Sequence, residues 1–227
     1  MKNMAKRRSA GRPREFDVDK ALDGALGVFW RKGYDGASLS DLTKAMGINR
    51  PSLYAAFGNK EQLYVKTLDR YSKSRNEHLN EFFAAQTARE SVELLLRDTV
   101  ERVTDPKNPG GGCFGVQGAM TCFNMSRQVK EHIGDMHVEL ERLFRERLNR
   151  AIEAGELPRG SAADLARFCV VMIQGLALQA KAGSSRKELH RVVDRYFDTW
   201  PPRQSHAVPP IGQEYHRTLW AKPSASR

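Results

Sequence analysis

The stretch GGGCF, residues 110–114, places a thiol directly after three glycines and at the start of a predicted helix. A helix N-terminus favours thiolate over thiol, so Cys113 is a candidate sensor cysteine. The competing reading is a small buried side chain, and it is preferred because free cysteine is among the most often buried residue types. Cys113, Met120, Cys122 and Met125, with His132 and His137 nearby, would supply the soft ligands that Cu(I) prefers, but their spacing matches no ligand motif. Met and Cys at helical intervals are more often core filler, so neither a metal nor a cofactor is expected. No Walker loop, GxGxxG after a strand, HExxH helix or nucleophile elbow occurs, which leaves catalysis without a candidate site.

The other chemistry available is that of cations facing a polyanion. The 227 residues carry a net charge of +10 with 40% apolar content, enough for one large domain or two modest ones. Residues 1–60 hold 12 Lys/Arg against 6 Asp/Glu, residues 61–200 hold 21 against 20, and residues 201–227 hold 4 against 1. Residues 1–14 contain six basic residues, Arg12 and Arg14 among them, and no acid. That segment reads as a disordered basic arm suited to nucleic acid. Three cysteines without a CxxC pair argue against a disulfide framework or zinc knuckle. No uninterrupted apolar stretch approaches bilayer length and no apolar segment follows the basic N-terminus, so a cytoplasmic protein without a membrane partner is expected.

Short helices must position these cations. Asp17 is a plausible N-cap for the series Val18, Ala21, Leu22, Ala25, Leu26 and Phe29, which Gly33 ends. Ser38 and Asp41 form a capping box for a second helix that stops at Gly47. After a Gly-Ile-Asn turn, Pro51 suits the first turn of a third helix that Gly58 breaks. Two short helices joined by such a turn form a helix-turn-helix, whose second helix enters the major groove. Leu53 and Phe57 would face inward onto Phe29 and Leu42. Arg50 and Ser52 are then placed for base edges, Tyr54 and Lys60 for phosphate. The candidate DNA contacts are Arg12 and Arg14 in the arm, Ser38 and Lys44 on the second helix, Asn49 in the turn, and Arg50, Pro51, Ser52, Tyr54, Ala55 and Lys60.

The run SLSDLTKAMGINRPSLYAAFGNKEQLY resembles the DNA-binding domain of the TetR/AcrR family of bacterial transcriptional regulators. Its Gly-Ile-Asn turn, Leu-Tyr pair, following aromatic and Lys-Glu-x-Leu carry the likeness, which covers roughly residues 15–65. Ala56 departs from it, since the family often has histidine or another polar residue there. GRPREF and FWRKGYDG resemble a subgroup with a basic arm, which includes copper-responsive repressors. Some relatives carry a similar Gly-Cys, and a few of these are described as thiol sensors. The resemblance implies an all-α homodimer with a variable ligand-binding domain, usually a repressor released from a double-stranded operator by a small molecule.

Helical periodicity fills the rest of the chain. Helices are predicted from about Glu61 to Phe83, Arg89 to Thr104, Cys113 to Phe123, Ser126 to Ala154, 162–182 and 186–200, with a turn-rich loop at 105–112. The last two carry wide apolar stripes, and Leu165, Phe168, Met172, Leu176, Val192, Val193 and Tyr196 are assigned to a dimer interface. Cys113, Phe114, Phe123, Met136 and Met172 are assigned to a pocket for an unknown effector. Residues 15–60 thus form a DNA-binding domain, 61–200 an effector and dimerisation domain, and 201–227, with five prolines, an extended tail. The expected function is an effector-released repressor. A thiol-redox or copper-responsive repressor of the same fold and an architectural DNA-binding protein remain the alternatives.

Overall fold

Side-chain caps open seven of the helices in the computed structural model, which describes residues 16–108, 110–121, 125–160 and 162–200. Asp17 accepts from the N–H groups of Asp19 and Lys20 to open α1 (Val18–Gly36). Ser38 and Asp41 close the expected capping box on α2 (Leu39–Met46): the Asp41 N–H donates to Ser38 Oγ at 3.1 Å, and the Ser38 N–H to Asp41 Oδ2 at 3.2 Å. Lys32 and Ser38 together hold the Asp41 carboxyl down at about 2, so this box stays ionised at any physiological pH. Asn49 caps α3 (Arg50–Phe57), and Asn59 and Gln62 form a second box on α4 (Lys60–Phe83). Thr87, Ser126 and Ser185 cap α5 (Ala88–Val103), α7 (Arg127–Glu153) and α9 (Arg186–Phe197). With α6 (Phe114–Thr121) and α8 (Ala162–Lys181), the described residues form nine α-helices and no strand. Each cap is worth about 1 kcal/mol, so short helices such as α2 and α3 depend on caps and packing more than on propensity.

Two apolar clusters organise the helices. One joins Phe29 of α1, Leu42 of α2, Leu53 and Phe57 of α3 and Leu63 and Tyr64 of α4, and it continues into Phe114 of α6 and Ile133 and Met136 of α7. The other lies among α5, α7, α8 and α9, around Leu96, Phe144, Leu148, Cys169 and Val193. The helix α4 serves both, through Leu63 at its start and Leu79 near its end, as expected of a bridging helix. Arg70 of α4 clamps α1, with Nη2 2.7 Å from Asp23 and Nη1 2.8 Å from Asp19. Arg147, buried on α7, donates to Ser91 Oγ and the Ala85 carbonyl, which satisfies a charge in the second core.

Gly33, at φ 70° and ψ 175°, breaks the helical run of α1 where expected, and a further turn continues to Gly36. Phe144 and Leu148 carry the inner face of α7, with Leu143 partly buried beside them. Helix α8 is long and apolar enough to cross a membrane by length and composition, with a mean hydropathy of 1.3, although no uninterrupted run announced it. Its inner face, Ala166, Cys169, Val170 and Ala177, packs against α7 and α5.

Gly24 lets α1 and α2 touch. A Cβ there would sit 2.4 Å from the Ala45 carbonyl oxygen, well inside contact distance. Helix propensity alone favours Ala over Gly by about 1 kcal/mol, but a backbone carbonyl cannot swing aside. Gly24→Ala is therefore expected to destabilise the chain by about 1–3 kcal/mol, read as a lower melting midpoint by circular dichroism. An unchanged or raised midpoint would mean that the α1–α2 contact relaxes freely.

Candidate nucleic-acid interface and ligand cavity

The α2–turn–α3 unit presents a narrow polar ridge over a buried base. Leu53 and Phe57 are buried with Phe29 and Leu42, which fixes the rotation of α3. Arg50, Pro51, Tyr54 and Ala55 consequently face solvent, Tyr54 at 49% exposure, and Ser52 is half-buried. Gly47, left-handed at φ 66°, reverses the chain between the helices, a conformation that glycine adopts at least cost. Asn49 accepts from the Ser52 N–H at 2.9 Å, so its side-chain oxygen is spent on the cap and only its amide N–H groups face outward. Ser38 is likewise committed to Asp41, with Oγ donating at 2.7 Å. Lys44 is exposed in the last turn of α2. The Lys60 ammonium lies 4.5 Å over the Tyr34 ring at the start of α4, and burial moves its pKa downward.

A cavity of about 270 Å³ opens among α4, α5, α6, α7 and α8. Trp30, Tyr71, Arg75, Thr99, Arg102, Val116, His137, Leu140, Ile173 and Gln174 contribute to its wall, together with Cys113. The triple-glycine loop borders it, with Gly112 on the wall. Gly111 and Gly112 hold φ 64° and 65°, and a Cβ on Gly110 would strike Trp30 at 2.3 Å. This tight loop sets Cys113 just before α6, its carbonyl accepting the first helical bond from the Gln117 N–H at 3.0 Å. Cys113 Sγ lies 2.9 Å from Tyr71 Oη. Burial, then the neighbouring thiol, pushes the Tyr71 phenol well above its ordinary pKa, so it stays protonated. His137 is pushed down by burial and by Arg75, against a smaller opposing effect of the Gly115 carbonyl, and its Nδ1 meets Gln174 Nε2 at 2.9 Å.

Comparison with known proteins gives the same assignment at both ends of the chain. A family profile described as "Bacterial regulatory proteins, tetR family" matches residues 21–67, and one described as "Tetracyclin repressor-like, C-terminal domain" matches residues 88–196. The HTH-type transcriptional repressor ComR of Escherichia coli K12 is 33% identical over 200 residues, covering 86% of this chain and 94% of ComR. This chain belongs to the TetR family of bacterial transcriptional regulators. A cysteine mutant of the TetR family regulator CifR, solved in complex with a 26-base-pair double-stranded operator DNA, is 43% identical with a TM-score of 0.78, covering 84% of this chain and all of that one. The biofilm operon negative regulator IcaR of Staphylococcus epidermidis is 43% identical over 51 residues, 22% of this chain and 28% of IcaR.

Within this TetR-family chain several expected site residues fall elsewhere. Phe114 is fully buried against the Trp30, Tyr64 and Tyr71 rings, behind the cavity wall and not part of it. Met136 is buried in the first cluster, and Met172 packs against the second; neither reaches the cavity wall. Helical spacing cannot say which of two cores a face meets. The soft-ligand set disperses: Met125 is buried in the first cluster, Met120 is exposed, and Cys113 turns toward Tyr71. Arg12 and Arg14, Cys122, Phe123 and the tail from 201 lie outside the described residues.

The residues expected at a dimer face divide between the chain's core and its surface. Leu176, Val193 and Tyr196 are buried in the chain's own core, while Leu165 and Met172 are partly buried against it. Phe168 and Val192 remain exposed, and Val171 at 57% and Leu178 join them. On α8 the outward residues Phe168, Val171, Gly175 and Leu178 follow one face at three- and four-residue intervals.

The two described cysteines differ in availability. Cys169 is buried and its thiol is pushed up to about 12 by desolvation, whereas Cys113 borders the cavity. Iodoacetamide at pH 8 is expected to alkylate Cys113 and spare Cys169 in the folded chain, as read by peptide mass mapping. Equal labelling would mean that α8 opens from its core on the reaction timescale.

Proposed function

We propose that this regulator is a homodimeric repressor. In this reading residues 15–60 recognise half of a palindromic operator, and residues 61–200 form the dimer interface and hold a small-molecule effector that releases the DNA. The names of ComR and IcaR as repressor and negative regulator, and the operator complex of CifR, support the DNA-facing half.

Trp30 carries the coupling. It belongs to α1, whose Phe29 packs in the core beneath α3, yet its indole forms part of the cavity wall and donates through Nε1 to the Gly111 carbonyl at 3.3 Å. Lys181 of α8 donates to the adjacent Gly110 carbonyl. An effector that displaces this loop therefore pushes directly on the helix that supports the recognition helix. For release to follow, the effector must favour the DNA-incompetent arrangement, since equal affinity for both shifts nothing.

The partner for the α8–α9 face is a second copy, because a palindromic operator pairs with a two-fold protein and the exposed apolar stripe needs cover. Val171→Glu is expected to give a monomer by sedimentation velocity at micromolar concentration; a persistent dimer would move the interface elsewhere.

A thiol-responsive variant of the same reading is favoured by one observation, the position of Cys113 on the cavity wall beside Tyr71. Binding of the purified chain to DNA from upstream of its own gene, at fixed salt, tests all readings together. Release by an apolar compound supports effector control, release by an oxidant that Cys113→Ser abolishes supports the thiol variant, and release by Cu(I) supports the copper variant. Tight binding indifferent to sequence and to every addition would favour an architectural role.

A further inference from the structure

Arg75 enters the cavity from α4 without a carboxylate partner. Its Nε and Nη2 donate to the Asn76 side-chain oxygen at 3.2 and 3.0 Å, and no Asp or Glu of the described residues lies within ion-pair distance. Glu139 is the nearest candidate by electrostatic influence, but Arg142 occupies both of its oxygens at 2.7 and 2.8 Å. Arg102, also on the wall, is engaged by Asp98 at 2.6 Å. Burial pulls the Arg75 guanidinium below its ordinary value, against smaller opposing effects of Tyr71, Cys113 and Glu139.

A second group on the same wall also lacks a partner. Thr99 of α5 is 3% exposed, lines the cavity, and its Oγ1 makes no hydrogen bond. Buried hydroxyls are normally satisfied, so an orphan facing a cavity marks a place for a ligand atom. The charges around the opening are Arg75, Arg102 and Lys107 against Asp105, whose carboxylate already accepts from the Lys107 N–H at 2.8 Å. The wall is therefore net positive, and His137 and Tyr71 add no negative charge.

We propose that the cavity binds a small organic carboxylate. Its carboxylate pairs with the uncommitted Nη1 side of Arg75 and accepts from the Thr99 hydroxyl, and a single ring or short acyl body lies against Trp30, Val116, Leu140 and Ile173. The volume of about 270 Å³ sits between the roughly 150 Å³ that takes benzene and the range of about 300–1,000 Å³ typical of drug-sized sites. This inference rests on the effector cavity of the preceding reading and names the class of its ligand.

Calorimetry on the full chain without DNA, using benzoate and hexanoate beside benzamide and hexanamide, tests it. The acids are expected to bind at least about ten-fold more tightly than the amides. Arg75→Gln should remove that difference by weakening the acids far more than the amides, and Thr99→Val should weaken the acids by a smaller factor. The unliganded Arg75→Gln chain should melt no lower than the parent, because the substitution removes a partly buried charge that has no carboxylate partner. Equal affinity for acid and amide in the unaltered chain, no binding of either acid at about 10 mM, or full benzoate affinity in Arg75→Gln would each overturn the inference; the first two need no variant to fold. Acids that bind through Arg75 yet leave the operator complex intact would uphold the site and overturn effector release. Failure to bind operator DNA would overturn the DNA reading alone.

Discussion

Arg50→Ala is expected to weaken operator binding by about 5- to 150-fold, equivalent to 1–3 kcal/mol, and to relax sequence preference at one base position of each half-site. Arg50 is the first residue of α3, exposed, and engaged by no acidic side chain among the described residues, so its guanidinium is free to meet a base edge at no cost to the fold. Tyr54, one turn later and half exposed, faces the phosphate backbone in the proposed reading. Tyr54→Phe is thus expected to lower affinity for every sequence alike and to leave the base preference intact. Fluorescence anisotropy over an operator and its single-base variants separates the two patterns. If both variants bound like the parent, α3 would not be the helix in the groove. Leu53 supplies a contrast on the same helix: it is fully buried, and its loss acts through folding.

The second large effect concerns signalling. Trp30→Phe is expected to leave operator affinity within about two-fold while cutting effector-driven release by about ten-fold, which removes roughly 1.4 kcal/mol from a coupling that typically spans 1–3 kcal/mol. The phenyl ring keeps partial contact with Tyr71 and Phe114, whose centroids lie 5.4 and 5.8 Å from the indole, but it cannot donate to the Gly111 carbonyl. Phe29, not Trp30, holds the base of the α2–α3 unit, so recognition survives. Titrating effector against a preformed operator complex gives the coupling directly. Unaltered release in Trp30→Phe would exclude the indole–glycine contact as the link. Trp30→Ala adds a packing loss and is expected to lower the melting midpoint as well.

Local rules made the DNA-facing end legible. Asp17 and Ser38 cap the helices they were expected to open, and Gly47 and Gly58 end the two short ones; Asn49 and Asn59 cap α3 and α4 by the same local chemistry without having been singled out. Caps act within four residues of chain, so the sequence alone locates them. The inward placement of Leu53 and Phe57 followed from their four-residue spacing once α3 was bounded.

The cavity obeyed no such rule. Phe114 and Cys113 are neighbours, yet the first turns into the aromatic cluster and the second to the cavity, because the triple-glycine loop fixes the entry angle of α6. Trp30 and Arg75 were absent from the expected pocket since each lies on a helix with another evident purpose, and only the crossing of α1, α4 and α6 brings them to one wall. The apolar stripe of α8 and α9 was visible, but its division between core and surface was not: Leu176, Val193 and Tyr196 turn inward while Val171 and Leu178 stay out. The sequence by itself determined most of the helices and the short ones' caps and stops, all set by interactions short along the chain. The tertiary structure alone decided which faces meet, because side chains distant in sequence become neighbours only when whole helices pack.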